Sequence, residues 1–339
     1  MTVATASTNT VNRPFADALV DYAMRNERVV CVTNDLTKSV EADLFRDKFP
    51  ERYFSLGMAE QNLAGVLSGL AREGFEPFYP SFAVFTTRRP YEQILLNIAY
   101  PNLPVRLMGF LPGLTTPGGV THQATDDLSL MCALPNMTVF SLSDATDVEG
   151  LPALLSGITG PVYCRLPRGE VPRLFDQPLR FNEARLVAQG SDILLLSTGA
   201  ATRETISASA ALASMGIQAH HLSISTLKPF TDPAVPEALR EIGLVVTVEN
   251  HLTRGGLGTA VAEVIAEGRI DAGLRRVGIR DTFTHGGSPD YLFRHYQIDA
   301  EGVVGACGEA LGVDVKPAID KLGALSVEAR RQQADSEAL

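Results

Sequence analysis

Two stretches of this 339-residue chain place chemically capable side chains beside structure that would hold them. The first is residues 54–74, FSLGMAEQNLAGVLSGLAREG. Its turn-rich lead, Phe54-Ser55-Leu56-Gly57, runs into a pattern in which Leu63, Val66, Leu67 and Leu70 recur at helical spacing. Gly74 stands where a helix C-terminal glycine usually does. The spacing predicts a helix with Glu60 in its first turn and the small residues Ala64, Gly65, Ser68, Gly69 and Ala71 on the opposite face. By position alone Glu60 complements the helix dipole. The following unit, residues 75–100, crowds Phe78, Tyr79, Phe82 and Phe85 into a short space. A carboxyl beside apolar rings is one whose proton affinity rises, so this pairing suits a group that holds or shares a proton. The second stretch is the glycine-rich loop 109–122, GFLPGLTTPGGVTH, followed by Gln123 and a helix predicted over 126–133. Glycines alone predict a long turn, but an imidazole at its end titrates in the range that acid/base work needs.

The elements that would position these groups follow from periodicity. A helix is predicted from Arg13, with Phe15, Leu19 and Tyr22 on one face, and residues 29–32 form a buried parallel strand. The loop 33–39 then lies at that strand's carboxyl end, where open α/β sheets bind their ligands. Strands over 105–108, 138–141 and 162–165, with an acidic-started helix over 144–156, complete a first domain over 12–166. Residues 167–187, with Pro167, Pro172 and Pro178, are a linker. A second, smaller domain over 188–314 alternates strands at 193–196, 219–223, 244–249 and 277–279 with helices reaching Met215 and covering 259–267. The fold expected is α/β: two consecutive three-layer α/β/α domains, each with a mainly parallel sheet. Residues 1–11 are small and polar and are expected to be disordered, and 315–339 to be a loose charged tail.

Hydrophobic content of 45% and charged content of 20% suit a soluble enzyme. The net charge of −10 argues against nucleic-acid and anionic-membrane surfaces, which need basic patches. No apolar run approaches a membrane span and the polar start is not a secretory signal. Cys31, Cys132, Cys164 and Cys307 are scattered, which points to a reducing cytoplasm rather than to disulfides or zinc. Gly255-Gly256-Leu257-Gly258 lacks the Lys-Ser/Thr of a phosphate loop. His220, His221, His251, His285 and His295 are assigned structural places.

The run Ala59-Glu60-Gln61-Asn62, with Ser81-Phe82-Ala83-Val84-Phe85 and Tyr91-Glu92-Gln93-Ile94, resembles the pyrimidine-binding domain of transketolases. Thr121-His122-Gln123, Arg165-Leu166-Pro167-Arg168-Gly169 and the segments TLKPF, VENHLTRGGLG and HGGSPDYL extend the resemblance through the family's C-terminal domain. It implies thiamin diphosphate as cofactor, with Glu60 at N1′ of the aminopyrimidine and Phe82 and Phe85 stacked on the ring. It implies His122 at the reacting oxygens and Arg13, Ser39 and Arg168 on a sugar phosphate. The C-terminal domain mostly serves assembly in this family, so no catalytic residue is expected there. Thiamin enzymes hold the diphosphate through Mg²⁺ on a Gly-Asp-Gly…Asn segment, and no Gly-Asp-Gly occurs here. No metal ligand is therefore expected in this chain. It looks like the back half of a transketolase, active only with an N-terminal subunit that carries the diphosphate domain and the Mg²⁺, in an α₂β₂ assembly.

Two departures from the family pattern bear on substrate. Typical members carry Glu-Asp-Gly before the Thr-His-Gln, whereas this chain has a shorter loop reading Thr116-Pro117-Gly118-Gly119. The aspartate expected near Gly118, which bonds a substrate hydroxyl, is absent, and a phosphate-site histidine falls on Leu111. A site built to hydrogen-bond a hydroxyl discriminates strongly for it. The resemblance thus implies a specialised transketolase, moving a two-carbon ketol unit between an unusual ketose donor and aldehyde acceptor. Two alternatives stay open: a 2-oxoacid-decarboxylating enzyme, either a carboligase of the deoxyxylulose-phosphate synthase kind or the β subunit of a 2-oxoacid dehydrogenase, which shares this size and domain pair, and a non-catalytic paralogue that binds a partner.

Overall fold

The computed structural model describes residues 9–323. A short strand, β1 (Thr10–Asn12), precedes α1 (Pro14–Arg25), whose proline sits in the first turn where the missing N–H has no helical partner to lose. Phe15, Leu19 and Tyr22 fall on its buried face, as their spacing requires. β2 (Val29–Thr33) is buried throughout. Next come α2 (Asp43–Lys48), β3 (Tyr53–Ser55), α3 (Glu60–Arg72), β4 (Glu76–Phe82), α4 (Ala83–Thr87) and a single turn, α5 (Tyr91–Gln93), that continues as the π-helical Ile94–Ala99. β5 (Arg106–Phe110), α6 (Asp127–Cys132), β6 (Thr138–Ser141), α7 (Ala145–Leu155) and β7 (Val162–Leu166) close the first unit. Asp144 caps α7 by accepting the Asp147 amide at 2.9 Å.

Beyond it come β8 (Glu170–Pro172), β9 (Arg185–Ala188), β10 (Ile193–Thr198), α8 (Ala201–Ala213), β11 (Ala219–Ser223) and β12 (Thr226–Lys228). The chain continues through α9 (Ala234–Ile242), β13 (Leu244–Leu252), α10 (Leu257–Glu267), β14 (Gly273–Ile279), α11 (Pro289–His295) and α12 (Ala300–Leu311). A seven-stranded sheet runs β12-β6-β7-β5-β4-β2-β3 and is parallel except for β12. A five-stranded sheet runs β14-β13-β10-β11-β9 and is parallel except for β9. The α/β class and the two mainly parallel sheets agree with the sequence pattern.

The domains are less separate than their order along the chain suggests. β12 leaves the second domain's sequence to pair antiparallel with β6 at the edge of the first sheet. One apolar core runs through both units, joining Leu63, Leu67 and Leu107 to Leu196, Leu222 and Val245. A three-residue strand carries too few positions to show a period, so its destination is set only by the edge it finds. Residues 10–11, expected to be disordered, are instead ordered in β1, which pairs with β8 inside the expected linker; residues 1–8 lie outside the described residues. The expected loose tail is likewise anchored at its start. Residues 316–323 are helical, and Val315 and Ala318 are buried against the second core, Val315 filling the space that Gly308 leaves open. The rest of that tail, 324–339, lies outside the described residues.

On α3 the small residues divide between faces rather than sharing one. Ala64, Ser68 and Ala71 are buried with Leu63 and Leu67, while Gly65 and Gly69 stay exposed with open space above them. The glycine pair near residue 256 does open a helix N-terminus that holds a carboxyl group, but the carboxyl is the chain's own. Glu249 accepts the Leu257 and Gly258 amides at 2.8 Å each.

His221, on β11, is fully buried with Nε2 2.7 Å from the Ser197 hydroxyl. Burial pushes its pKa down to about 3, and neighbouring His220 adds to the shift. An unfolded imidazole titrates near ~6.5, so this buried neutral ring contributes stability above that pH and loses it as pH falls toward its folded value. The unfolding free energy of the chain, measured by urea titration, should therefore drop relative to that of His221→Gln as pH is lowered from 7 to 4, with a slope approaching ~1.4 kcal/mol per pH unit. Parallel curves for the two proteins would contradict this.

Candidate active site

The site forms where the carboxyl ends of β2, β3 and β4 meet, and strand order explains why its members come together. β2 lies between β3 and β4, so Asn34, just past β2, sits between the segments that leave β3 and β4. β3 leads through Gly57, at φ +70°, into Glu60 at the first residue of α3. β4 ends on Ser81 and Phe82. Asn34 Nδ2 donates to Glu60 Oε1 at 3.0 Å, and the Ser81 hydroxyl donates to Asn34 Oδ1 at 3.0 Å. Asn34 and Ser81 are fully buried and Glu60 is 4% exposed. The carboxylate is thus oriented from behind by a chain of two buried hydrogen bonds.

Of the four aromatic residues crowded into 75–100, Phe82 and Phe85 pair on this side, while Phe78 packs edge-on against Tyr22 and Tyr79 is buried in the core shared by both units. Phe82 and Phe85 stack with centroids 5.9 Å apart and planes at 29°, and His122 meets Phe85 edge-on at 5.4 Å. One further residue occupies this position. Arg89 Nη1 donates to Glu60 Oε1 at 2.7 Å while its guanidinium lies 4.0 Å over the Phe85 ring. A planar nitrogen donor stacked on Phe85 and bonded to Glu60 makes the same two contacts that the aminopyrimidine of thiamin is expected to make. The residues present therefore fit that group, with Arg89 as its stand-in. Met58, Ala59, Gln61 and Asn62 join Glu60 and Arg89 around a cavity of about 450 Å³.

Ser81 stands in the run 81–85 that carries the resemblance, with no role assigned to it there, whereas Asn34 and Arg89 carry no motif that marks them as members of this site. Arg88 is a further member without one. Its Nε donates to the Asp126 carboxylate at 2.9 and 3.1 Å, tying the end of α4 to the start of α6 just beyond His122.

His122 is half-buried at the tip of the glycine-rich loop. Gly119, at φ +70°, accepts the His122 and Gln123 amides at 2.9 and 3.0 Å, and the Thr121 hydroxyl lies 2.9 Å from His122 Nδ1. A Cβ at Gly118 would stand 2.8 Å from His122 Cβ. In this shorter loop an aspartate at that place would therefore displace the histidine. Leu111 holds the left-handed conformation at φ +55°, which a branched side chain rarely adopts.

The three residues expected on a sugar phosphate belong to segments that converge on one locus, next to Glu41. The Arg13 amide donates to the Gly169 carbonyl at 2.7 Å, and the Gly169 amide donates to Glu41 Oε1 at 2.9 Å. Ser39 is half-buried in the loop that carries Glu41. The Arg13 guanidinium pairs with Asp43, whereas Arg168 is exposed beside Gly169. Burial raises the pKa of Glu41. Asn34 and Glu41 lie in the same loop after β2, so that loop links the Glu60 pocket to the arginine locus. Among the described residues no group of three His, Cys, Asp or Glu side chains is placed to hold a metal ion, and no helix is long and apolar enough to cross a membrane.

Comparison with known proteins agrees with this geometry. The family described as "Transketolase, pyrimidine binding domain" matches residues 8–173, and "Transketolase, C-terminal domain" matches 182–303. The chain is 37% identical to the 6-deoxy-6-sulfo-D-fructose transketolase subunit SqwH of Clostridium sp. (strain MSTE9), over 87% of this chain and 92% of that one. It is 36% identical to the putative uncharacterized transketolase family protein y4mN of Sinorhizobium fredii (strain NBRC 101917 / NGR234), over 91% of each chain. The solved structure described as "Split gene transketolase, inactive beta4 tetramer" superposes with a TM-score of 0.82 at 37% identity, over 89% of this chain and 98% of that one.

Because the Arg89 guanidinium must leave before a ring can stack on Phe85, Arg89→Ala should bind a free 4-aminopyrimidine more tightly than the wild-type chain, by about two- to tenfold. Ligand-observed NMR titration of the isolated chain measures this. Weaker binding by the variant would mean that Arg89 is a ligand-holding residue and not a stand-in.

Proposed function

The chain belongs to the transketolase family, and we propose that it is the C-terminal subunit of a two-chain, thiamin-diphosphate-dependent transketolase. The reaction proposed is transfer of a two-carbon ketol unit from a ketose to an aldehyde. The observation that carries this reading is the Ser81–Asn34–Glu60 hydrogen-bond chain aimed past the Phe82–Phe85 pair, with His122 at the ring edge. The two-chain reading is supported by relatives of the same length that are named as a subunit and as a split-gene product.

When bound, thiamin diphosphate supplies the carbanion chemistry that no side chain can. Glu60, held by Asn34, is the residue to keep a proton at N1′ of the pyrimidine. Phe82 and Phe85 hold the ring, each aromatic pair adding about 0.5–1.5 kcal/mol beyond burial. His122 moves a proton at the reacting oxygens. Arg13, Ser39 and Arg168 bind a substrate phosphate, Arg168 through the bidentate geometry that a guanidinium offers. The partner subunit contributes the diphosphate domain and holds Mg²⁺, and the assembly is α₂β₂. Free Cys31, Cys164 and Cys307, all buried, accord with a cytoplasmic location.

Leu111 and Gly118 stand where the family pattern carries a histidine and an aspartate, so two polar groups of general pentose-phosphate chemistry are missing from this loop. A specialised sugar substrate, as in the named sulfosugar relative, is the reading this supports.

The test is reconstitution with the partner subunit, thiamin diphosphate and Mg²⁺, offering ketoses and 2-oxoacids in parallel while CO₂ is monitored. Ketol transfer without CO₂ is expected, with no turnover by this chain alone. Glu60→Gln should fold and assemble but lose at least about 10²-fold in rate. Release of CO₂ from a 2-oxoacid would place the pair in the decarboxylating branch instead. A pair that binds no cofactor would favour a scaffold.

A further inference from the structure

The second domain carries no residue of the proposed site, yet it grips the loop that bears His122. Gln123, next in sequence and fully buried, donates through Nε2 to the Thr116 carbonyl at 3.1 Å and to the His285 carbonyl at 3.2 Å. Its Oε1 accepts the Thr284 hydroxyl at 2.5 Å. The Gln123 amide group is thus used on both ends, closing residues 116–123 into a ring and fastening that ring to residues 284–285. The backbones also touch: a Cβ on Gly286 would come within 3.0 Å of the Pro117 carbonyl oxygen. At the loop's other end Asn250 donates to the Pro112 carbonyl at 3.2 Å and accepts the Leu114 amide at 2.9 Å.

We infer that the second domain sets the position of His122, with Thr284 as the positioning residue acting through Gln123. This rests on the reading of His122 as the acid/base group. The physical basis is an unequal set of restraints. Arg88 of the first domain reaches the flanking Val120 and Gln123 carbonyls at 3.4 Å each, longer than the bonds of the Gln123 side chain. Among the described residues the hydrogen bonds of His122 itself are those of its amide and of the neighbouring Thr121 hydroxyl. Its register against Phe85 therefore follows wherever Gln123 is held. Thr284 is 7% exposed, so removing its hydroxyl leaves Gln123 Oε1 buried with no donor, a state that favours release of the amide into another conformation. A displacement of about 1 Å at a catalytic group costs on the order of 10²-fold in rate.

The experiment compares wild type, the isosteric Thr284→Val, the hydroxyl-retaining Thr284→Ser and Gly286→Ala. On the chain alone, hydrogen exchange of amides in 118–123 should quicken in Thr284→Val and Gly286→Ala, stay near wild type in Thr284→Ser, and be unchanged everywhere in α3. In the reconstituted pair Thr284→Val should lose about ten- to hundredfold in kcat, with thiamin diphosphate affinity unchanged because Glu60, Phe82 and Phe85 are untouched. Unaltered exchange in 118–123, or a Thr284→Val variant that melts earlier but turns over like wild type, would overturn the inference. A wild-type pair without activity would count against the proposed function, and the exchange measurement would still decide whether Thr284 positions the loop.

Discussion

The buried pair of Asp127 and Arg165 is the interaction on which the remainder of the structure leans. Asp127 opens α6 and Arg165 lies on β7, the two joined by an Nε–Oδ2 bond of 2.7 Å and a second bond between Nη2 and Oδ1. Tyr163, two residues earlier on β7, donates its hydroxyl to the same carboxylate. Burial pushes the Asp127 carboxyl up, and the Arg165 guanidinium more than offsets this, leaving it below the usual carboxylate range. The remaining guanidinium donors reach the Ala124 carbonyl at 3.0 Å and the Asn250 carbonyl at 2.9 Å. A single ion pair therefore joins the first sheet, the loop after His122 and the end of β13. Loss of one partner from such a pair costs roughly 3–5 kcal/mol, because the other is left charged and buried.

That placement explains why the two domains behave as one body around the site. The carboxyl end of β13 supplies Asn250 to the glycine-rich loop, and the Leu252 amide donates to the Thr125 carbonyl at 2.8 Å. Glu249, immediately before, is fully buried, its pKa raised to about 7 by desolvation and restrained by the amides of α10. His251 is buried alongside with its pKa lowered to about 4, again chiefly by desolvation. Near neutral pH the imidazole is neutral, so the Asp127–Arg165 pair supplies the fixed charge at this junction. A polar junction of this kind fixes one relative arrangement of the domains, since any shift would leave several buried donors without acceptors.

The proposed cofactor pocket is built on the opposite principle. Behind Glu60, Asn34 and Ser81 are buried and hydrogen-bonded, whereas in front lies an open cavity that Arg89, 46% exposed along its side chain, only partly fills. An exposed guanidinium loses little on leaving, since water replaces its contacts. The buried half of the site thus belongs to the fold and the exposed half to a single side chain.

Much of this was legible in the sequence, for reasons that are local. Helical spacing placed Glu60 in the first turn of α3 and Phe15, Leu19 and Tyr22 on the buried face of α1. Alternating strands and helices defined two parallel sheets, and the Ala59-Glu60-Gln61-Asn62 and Thr121-His122-Gln123 runs marked the family. Other features depended on chain segments far apart in sequence. The reach of Asn34 between Glu60 and Ser81 follows from β2 lying between β3 and β4, an order that no local pattern encodes. The crossing of β12 to the first sheet depends on an available edge, and the order at residues 10–11 and 315–323 depends on partners at 170–172 and in α12. Arg89 on Phe85 and Thr284 on Gln123 are meetings of side chains whose sequence neighbours carry no periodic or motif signal. Short-range periodicity and turn chemistry act through bonded neighbours and are written into the chain. Hydrogen-bond partners 26, 47 or 161 residues apart are set only once the sheets have packed, because burial makes their pairing obligatory.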